Sequence, residues 1–571
     1  MKLFGKTFGK DKYLWYKFYK KNERKINIPN MSLYEYMVEC NEYNMENNAT
    51  NYFNNKLTFR EFIEEINMCA RAFRSQGIRP GDVITICMPN TPEAVIAFYA
   101  VNKIGAIANM IHPLSAEEEI KHSLIATNSV MLVAVNLSYV KVKEIIDDTN
   151  VYKTVIVSPS DSMPTLLKFG YYITKGRKVN VPKKSEDYLY WNDFMQKGKN
   201  YKEKVLAKTT SSQPAVILHS GGTTGTPKNI VLTNGNINAV IKQAEIVFKG
   251  VDNTDTILSI LPLFHCFGLV VGVHLPLCLG ADCVLVPQFD AKRLDKLLVK
   301  YKPTLIPGVP TLFEALMNNK RMDGVDLSRV KYIVSGGDTL SVEKNKQVND
   351  FLKEHNCKSH IIQGYGMTET TGPVTFGGMG ADVLGSVGIP LPENELKILN
   401  PETKEECKPN ETGEICIAGP TVMAGYLDNE KETNEILVKD KKGKIWVHTG
   451  DLGYINEDGV LFFQSRLKRM LIVSGYNVYP SHIEEVLMKH PAILNCGVVG
   501  IPHPYKVQVP KAFIVLKPNY KINAKIKSEI KEYCEKNLAK YMIPKEFEYR
   551  ESLPKTLIGK VNYRELENEN K

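Results

Sequence analysis

The sequence lacks the features that mark a secreted, disulfide-linked or zinc-binding protein. Its eleven cysteines include no C-x-x-C pair and no Cys/His group at the spacing of a zinc site. The first 25 residues are basic and aromatic but contain no apolar run of the length found in a secretory signal. We therefore expect a cytoplasmic chain without a disulfide framework, in which Cys266, Cys278, Cys283 and Cys416 are buried thiols.

A membrane span is also missing. The stretch most like one, 267–287, is interrupted by His274, Pro276, Gly280 and Asp282. We interpret it as a buried helix, a Gly-Ala turn and a short core strand.

The overall composition is that of an ordinary globular protein. The chain has 571 residues, of which 43% are apolar and 24% charged. This length exceeds what one hydrophobic core can hold, so two to four domains are expected. The net charge of +10 comes from lysines spread along the chain. It predicts a solvated surface that suits anionic substrates, and we expect no nucleic-acid partner.

Hydrophobic patterning predicts an α/β fold. A helix-period stretch at 57–78 is followed by β-branched runs at 82–89 and 129–135, and a second such region covers 214 to about 380. The basic, turn-rich stretch 160–204 interrupts this rhythm. We expect an exposed excursion there, with a surface-docking insertion as the alternative.

Two further changes in the sequence pattern predict the domain organisation. Short strands and turns between about 385 and 465 indicate a small β-rich subdomain. After RLKRM, 466–470, a mixed pattern of helix and strand continues to the end. The predicted fold is a large N-terminal domain, 1–466, of two α/β subdomains plus the β-rich subdomain, and a small mobile α+β C-terminal domain, 467–571.

The stretch SGGTTGTPKN, 220–229, has the composition of a phosphate-binding loop, but it does not match the Walker pattern G-x-x-x-x-G-K-[ST]. Counted from Gly222, the second glycine is replaced by Pro227, and Asn229 follows the lysine. That motif also leads from a strand into a helix. Here strands are predicted on both sides, at 214–220 and 229–233, with a helix only after Asn234 as its N-cap. The loop is therefore a Gly/Thr hairpin whose backbone N–H groups and hydroxyls can still bind phosphate.

Five further motifs follow in order along the chain: SGGDTL (335–340), QGYGMTET (363–370), HTGDLGYINEDG (448–459), SRLKRMLIVSGYNVYPSHIEE (465–485) and PKTLIGKV (554–561). With the hairpin loop, this set resembles the acyl-adenylate-forming, or AMP-binding, superfamily over about residues 30 to 566. It is most similar to the stand-alone bacterial fatty-acyl-CoA ligases. The resemblance implies an enzyme that makes an acyl-adenylate and pyrophosphate from an acid and ATP, and then transfers the acyl group to CoA with release of AMP.

The resemblance also implies an ATP site made from residues of both domains. They are Ser220, Gly221, Gly222, Thr223, Thr224, Gly225, Lys228, Gly337, Asp338, Gln363, Gly364, Tyr365, Thr368, Asp451, Arg466 and Lys560. The hairpin loop would hold the β- and γ-phosphates, and Glu369 with Thr224 would hold Mg²⁺.

Particular roles follow from the same resemblance. Tyr365 would stack on adenine beside Gly337 and Asp338, and Asp451 with Arg466 would bind the ribose. The catalytic residues would be Thr368 and Lys560, both at the α-phosphate, and Glu369.

For the second step, the resemblance implies a rotation of the C-terminal domain about a hinge at Lys468. Ser474, Gly475 and Tyr476 would then form part of the CoA channel. Gly475 would permit a close approach of backbone to ligand.

The acyl pocket is implied to lie at LPLFHCFGL, 261–269, with His265 and Phe267, and at Gly336. No acidic residue stands there to pair with the ammonium of an amino acid, which favours an apolar, medium- or long-chain fatty acid. An aryl acid, a carrier protein as acceptor and a non-catalytic nucleotide-binding protein remain alternatives. A lipid substrate would also allow peripheral contact with a membrane.

Overall fold

The protein is described by a computed structural model that covers residues 13–220, 228–473, 476–503, 507–556 and 560–569. The helices are α1 (Leu33–Cys40), α2 (Phe59–Ser75), α3 (Pro92–Lys103), α4 (Glu117–Ala126), α5 (Tyr139–Ile145), α6 (Thr165–Thr174), α7 (Trp191–Asn200), α8 (Asn234–Val247), α9 (Leu275–Cys278), α10 (Leu294–Tyr301), α11 (Pro310–Met317), α12 (Val342–Glu354), α13 (Glu430–Ile436), α14 (Pro480–Met488), α15 (Ala524–Asn537) and α16 (Tyr563–Asn568).

The strands are β1 (Asn48–Tyr52), β2 (Asn55–Thr58), β3 (Val83–Cys87), β4 (Ile107–Met110), β5 (Met131–Val135), β6 (Lys153–Val157), β7 (Tyr188–Tyr190), β8 (Pro214–Ser220), β9 (Lys228–Thr233), β10 (Thr256–Ser259), β11 (Asp282–Leu285), β12 (Leu305–Gly308), β13 (Tyr332–Ser335), β14 (Ile361–Met367), β15 (Gly372–Phe376), β16 (Ile389–Pro390), β17 (Glu395–Leu399), β18 (Gly413–Ala418), β19 (Gly425–Tyr426), β20 (Leu437–Lys439), β21 (Ile445–Ile455), β22 (Leu461–Arg466), β23 (Leu471–Val473), β24 (Tyr476–Val478), β25 (Ile493–His503), β26 (Val507–Leu516) and β27 (Glu546–Arg550).

Two large sheets form the first part of the chain. One has the order β16-β15-β14-β13-β12-β10-β11-β1-β2, and the run from β14 to β1 is parallel. The other has the order β19-β9-β8-β4-β3-β5-β6-β7 and is parallel from β8 to β7. Parallel strands joined by helices explain the sequence alternation, and the α/β prediction is confirmed.

Helices α2 and α3 pack into the largest hydrophobic core of the molecule. Every residue of α3 from Pro92 to Asn102 is buried, which explains its continuous apolar sequence. Helix α2 is amphipathic instead, and Phe59, Phe62 and Phe73 on one face join the same core. A capping box starts α2, because the Thr58 hydroxyl accepts a bond from Glu61 N while the Glu61 carboxylate accepts one from Thr58 N.

The carboxyl ends of the two sheets open on the same side of the molecule. Asn90, just after β3, donates side-chain bonds to the carbonyls of Ser259 (3.0 Å) and Leu261 (2.8 Å), at the end of β10. Tyr52, at the end of β1, donates its hydroxyl to Pro159 O, just after β6. In α/β proteins, ligands bind at the carboxyl ends of the parallel strands. Here these ends of the two sheets lie on the same side, so loops from both sheets line one cleft.

The remaining sheets are smaller and come from later parts of the chain. An antiparallel sheet has the order β17-β18-β21-β20, with β22 on β21, and corresponds to the predicted β-rich subdomain. The last sheet, β24-β23-β26-β25 with β27 on β26, uses strands after residue 470. The exact boundary at 466 stays a prediction.

The predicted excursion at 160–204 is only half right. Helix α6 has no buried residue, as expected. Residues 188–200 instead belong to the core, because β7 extends the second sheet and α7 packs on α2. The contact is so close that a Cβ on Gly198 would lie 2.0 Å from Met68 O. Short elements such as β7 carry too little periodicity to be predicted.

Two other sequence predictions are settled by the fold. The stretch 267–287 forms a buried helical segment, a turn and the core strand β11, as predicted. Helix α8 begins one residue earlier than predicted, and Thr233 is its N-cap in place of Asn234. Within the described ranges, no helix combines the length and apolar character needed to cross a membrane.

Candidate active site

The hairpin loop begins and ends on adjacent strands. Ser220, the last residue of β8, is directly opposite Lys228, the first of β9, in an antiparallel pair. This confirms the hairpin and explains why the stretch is not a strand-to-helix loop. The roles predicted for Gly221, Gly222, Thr223, Thr224 and Gly225 concern residues outside the described part of the chain and remain predictions.

Strand β9 is paired on its other side as well. Gly425 and Tyr426 of β19 stand opposite Val231 and Ile230. Ala424 N donates to Val231 O, and Leu427 N donates to Asn229 O at 2.8 Å. The strand that carries Lys228 is therefore held between two neighbours.

A chain of polar contacts joins Lys228 to the carboxylate predicted to bind Mg²⁺. Lys228 Nζ lies 2.8 Å from Glu432 Oε2 and 4.6 Å from the centre of the Tyr426 ring. The Tyr426 hydroxyl donates to Glu369 Oε1 at 2.9 Å. Glu369 is buried, and burial raises the pKa of its carboxyl, while the bond from Tyr426 opposes this rise. Sequence reasoning missed Tyr426 and Glu432, which lie after the stretch that leads from β18 of the β-rich sheet to β19 of the second large sheet.

Tyr365 and Asp451 form a second buried pair. The Tyr365 hydroxyl donates to Asp451 Oδ2 at 2.8 Å, and its ring stacks on that of Phe463, with centres 5.9 Å apart and planes inclined by 29°. Arg466 faces Asp451 across the β21–β22 hairpin, with Nε 3.3 Å from Oδ1.

The other oxygen of Asp451 has an unused acceptor position. Oδ1 is buried and accepts no hydrogen bond from the described residues, since the Arg466 contact lacks hydrogen-bond geometry. Burial raises the pKa of Asp451, and the Arg466 charge counteracts it. The turn before Asp451 is held by Glu414, which accepts bonds from Gly450 N and His448 Nδ1. An unpartnered buried oxygen next to a cation suits a ligand hydroxyl.

Lys560 reaches this group from the C-terminal part of the chain. A Cβ on Gly337 would lie 3.9 Å from Lys560 Cε, so the lysine side chain extends along the end of β13. Burial lowers the pKa of Lys560, while the carboxylates of Asp338 and Asp451 raise it. Thr556 N donates to Lys560 O (2.7 Å), and Lys560 N donates to the Thr556 hydroxyl oxygen (3.2 Å), so the two residues are held together.

The parallel strands place the predicted nucleotide residues side by side. Gln363 of β14 is paired with Ser335 of β13, and Gly364 follows directly. Gly337 has φ of +79°, which is why glycine is needed at this bend. Thr368 begins the short helical turn that carries Glu369.

The predicted acyl-pocket residues are also brought together. A Cβ on Gly336 would lie 3.2 Å from Phe267 Cε1, so the absence of a side chain there makes room for the ring. Phe267 N donates to His265 Nδ1 at 3.3 Å. Burial, together with the charge of Lys560, lowers the pKa of His265 to about 4, and the imidazole is neutral at pH 7. Ring and imidazole thus present an uncharged wall next to Lys560.

The connection between β22 and β23 contains the predicted hinge. Lys468 is exposed in the helical turn Leu467–Arg469. The next residue, Arg469, was missed: its Nη2 lies 2.6 Å from Glu484 Oε1, and its guanidinium lies 3.5 Å from the centre of the Tyr563 ring. Of the predicted CoA residues, Ser474 and Gly475 and the side chain of Tyr476 lie outside the described part of the chain.

Comparison with known families follows the same division of the chain. The family described as "AMP-binding enzyme" matches residues 39–427, about two thirds of the sequence, and "AMP-binding enzyme C-terminal domain" matches 482–560. The chain belongs to the AMP-binding enzyme family. The resemblance drawn from the ordered motifs is therefore confirmed, as is the assignment to an enzyme family of acid–thiol ligases.

Individual AMP-binding enzymes resemble it over nearly their whole length. A long-chain-fatty-acid–CoA ligase of Bacillus subtilis is 32% identical over 94% of both chains. A probable 4-coumarate–CoA ligase of Dictyostelium discoideum is 32% identical over 90% of this chain and 91% of its own. The solved structure of the anthranilate CoA ligase AuaEII with anthranoyl-AMP superposes with a TM-score of 0.82 over 95% of this chain and 98% of that one, at 24% identity, and so supports the fold.

Proposed function

We propose that this AMP-binding enzyme is an ATP-dependent acid:CoA ligase acting on an apolar, medium- or long-chain fatty acid. The observation that carries the proposal is the position of Lys560, which lies beside Gly337, Asp338 and Asp451 although it comes from the far end of the chain. Relatives named as long-chain-fatty-acid–CoA ligases support the choice of acid.

In the first step, the carboxylate attacks the α-phosphorus of ATP and pyrophosphate leaves. Negative charge increases between the reacting groups, and the Lys560 ammonium is placed to stabilise it. Thr368 would contact the same phosphate. Lys228 would exchange Glu432 for the β- and γ-phosphates, supported by Ser220 and the loop 221–225.

The nucleotide base and sugar have separate partners. Asp451 Oδ1 is a free acceptor for a ribose hydroxyl, and Arg466 stands next to it. The adenine would lie against Tyr365, between Gly337–Asp338, which follow β13, and Gln363–Gly364 of β14. The Tyr365 hydroxyl keeps Asp451 oriented, so base and ribose positions depend on one pair of residues.

The carboxylate of Glu369 fits a magnesium ion, which prefers oxygen ligands. Glu369, with the hydroxyl of Thr224, would hold Mg²⁺, and the ion would neutralise phosphate charge. Tyr426 donates to one Glu369 oxygen, and this bond opposes the rise in the Glu369 pKa that burial causes.

The second step replaces AMP by the thiol of CoA. We propose that the C-terminal part rotates about Lys468, which removes Lys560 and brings 474–476 to the site. The cluster of Arg469, Glu484 and Tyr563 would move with the rotating part, because all three residues follow the hinge.

The acid is proposed to be apolar because the pocket residues carry no charge. Phe267 packs against Gly336, His265 is neutral, and no carboxylate in 261–269 could pair with an ammonium. An aryl acid is the second candidate, supported by the relative named for 4-coumarate. We place the reaction in the cytoplasm, where the thiols of all eleven cysteines, free in this fold, would stay reduced.

The decisive experiment is acid-dependent release of pyrophosphate from MgATP. Acetate, octanoate, palmitate, benzoate and phenylalanine are each supplied with and without CoA. We expect release with octanoate or palmitate, increased by CoA. Release with benzoate alone would assign the aryl acid, and release that CoA does not increase would point to a carrier-protein acceptor. No release with any acid, while ATP still binds, would overturn the proposal in favour of a non-catalytic nucleotide-binding protein.

A further inference from the structure

Helix α6 presents an apolar face that nothing covers among the described residues. Leu166, Phe169 and Ile173 are spaced three and four positions apart, and their exposed fractions are 82%, 63% and 40%. The helix contains no buried residue at all. Tyr171, on the opposite side, is half-buried against the protein. The outward face is therefore the more apolar one, which is the reverse of an ordinary surface helix.

The chain around this face is strongly basic. Residues 162–184 contain six lysines and arginines and no acidic residue. Lys175, Arg177 and Lys178 follow directly after the helix and are exposed. No carboxylate of the described residues lies within ion-pair distance of these three. An apolar helix face with uncompensated cations at its end matches the surface of an anionic bilayer in both polarity and charge.

The position of α6 connects it to the acyl pocket. The helix follows β6 at the shared carboxyl edge of the two sheets. Its start is tied to α3, because Ser162 Oγ donates to Glu93 Oε1. Three residues before Glu93, Asn90 Oδ1 accepts a bond from Leu263 N within the acyl-pocket stretch. The exposed face and the pocket are thus linked through one helix end.

We propose that α6 and the basic residues after it, 165–184, are a docking surface for an anionic lipid bilayer. Leu166, Phe169 and Ile173 would insert among the lipids, while Lys175, Arg177 and Lys178 would contact the head groups. At ten residues, the helix can lie in the interface but cannot span the membrane. Delivery of a membrane-dissolved acid to the pocket rests on the proposed function, whereas binding to lipid does not.

The test is flotation of the full-length protein with lipid vesicles. The parent should float with vesicles of phosphatidylcholine and phosphatidylglycerol and remain unbound with phosphatidylcholine alone. In the triple variant Leu166→Ser/Phe169→Ser/Ile173→Ser, the affinity for anionic vesicles should fall roughly ten-fold or more, because the three apolar side chains that would insert among the lipids are gone. In the variant Lys175→Glu/Arg177→Glu/Lys178→Glu, the affinity for anionic vesicles should also fall at least about ten-fold. Added salt should reduce the affinity of the parent in the same way.

A matched control removes the same number of exposed apolar side chains from other helices. Ile125, Val140 and Val299 lie on α4, α5 and α10 and are 52%, 51% and 55% exposed. The variant Ile125→Ser/Val140→Ser/Val299→Ser should float like the parent. All variants should release pyrophosphate with octanoate in the absence of vesicles at the parent rate, which also shows that they are folded.

Several outcomes would contradict the proposal of a docking surface. It is wrong if the parent does not float with anionic vesicles, if it floats equally with both kinds, or if the serine variant of α6 floats like the parent. Self-association of the parent that the same variant abolishes, without flotation, would assign the face to a second copy of the chain. Flotation as expected, with no acid accepted, would leave the docking surface in place and reject the proposed function.

Discussion

The hydroxyl of Tyr426 donates a 2.9 Å hydrogen bond to Glu369 Oε1, although 57 positions separate the two residues. The same ring lies under Lys228. One tyrosine thus supports both the carboxylate proposed for Mg²⁺ and the lysine proposed for the phosphates. Its effect can be measured separately from either.

Tyr426→Phe should raise the Mg²⁺ concentration needed for half-maximal pyrophosphate release. Loss of a hydrogen bond to a charged group costs about 1.5–3 kcal/mol, so we expect an increase of roughly ten-fold or more. The pKa of Glu369 should also rise, because the bond from Tyr426 lowers it. Tyr332→Phe is the control, since that hydroxyl donates to Lys249 O far from the site. An unchanged Mg²⁺ dependence in Tyr426→Phe would show that the bond has no role.

Lys560→Ala should slow pyrophosphate release by about 10²–10³, because a cation is lost from a site that excludes water. ATP binding, measured by equilibrium dialysis, should remain close to that of the parent. The variant should still convert added acyl-adenylate to acyl-CoA at the parent rate, since Lys560 acts only in the first step. Lys525→Ala, which removes an exposed side chain of α15, serves as the control. Adenylation at the parent rate would remove Lys560 from the mechanism.

Gly336→Ala should reduce kcat/KM for a long-chain acid and leave the KM for ATP unchanged. The added Cβ lies 3.2 Å from Phe267 Cε1, so the ring must move into the pocket. We expect a loss of about ten-fold, since such crowding costs roughly 1–3 kcal/mol. The second substitution Phe267→Leu should restore part of the activity. Gly170→Ala, where a Cβ meets nothing within 4 Å, is the control; an equal loss in both variants would contradict the assignment of the pocket.

Glu93→Gln should change how stability depends on pH. Burial raises the pKa of Glu93 to about 7 in the folded chain from 4.5. Between these values the folded state binds more protons than the unfolded one, so the free energy of unfolding falls as pH rises through this window, by about 3 kcal/mol in total. Glutamine does not titrate, and the variant should keep a higher melting temperature than the parent at pH 8.

The measurement is a series of thermal unfolding curves from pH 4 to 8. The difference between variant and parent should grow with pH up to about 7 and then level off. Glu64→Gln, on the exposed side of α2, should reproduce the parent at every pH. A constant difference between Glu93→Gln and the parent would show that Glu93 does not titrate in this range.

Much of the fold could be predicted because the decisive signals are local. The helix α2, the strands β3 and β5 and the hairpin at 214–233 each follow from the period of a short stretch. Strand β19 could not be predicted, because two residues carry no period and its pairing with β9 depends on the tertiary fold. For the same reason β7 and α7 were not predicted, and they lie within the stretch predicted as an exposed excursion.

In the candidate site, too, some residues could be predicted from the sequence and others could not. Residues within ordered motifs, such as Asp451 and Lys560, were found through the resemblance. Their partners were not, because Tyr426, Glu432 and Asn90 reach the site through contacts that only the folded chain creates. The Tyr365–Asp451 hydrogen bond is an intermediate case: both residues were named, but their contact joins motifs 86 positions apart.

The pairing of β19 with β9 has a consequence for synthesis on the ribosome. The strand carrying Lys228 receives its second neighbour only when Gly425 and Tyr426 have been made, almost two hundred residues later. A nascent chain that stops before them has the hairpin strands but not the support for Lys228 and Glu369. Since domains fold as they emerge, nucleotide affinity should be acquired late, after the β-rich sheet has begun to form.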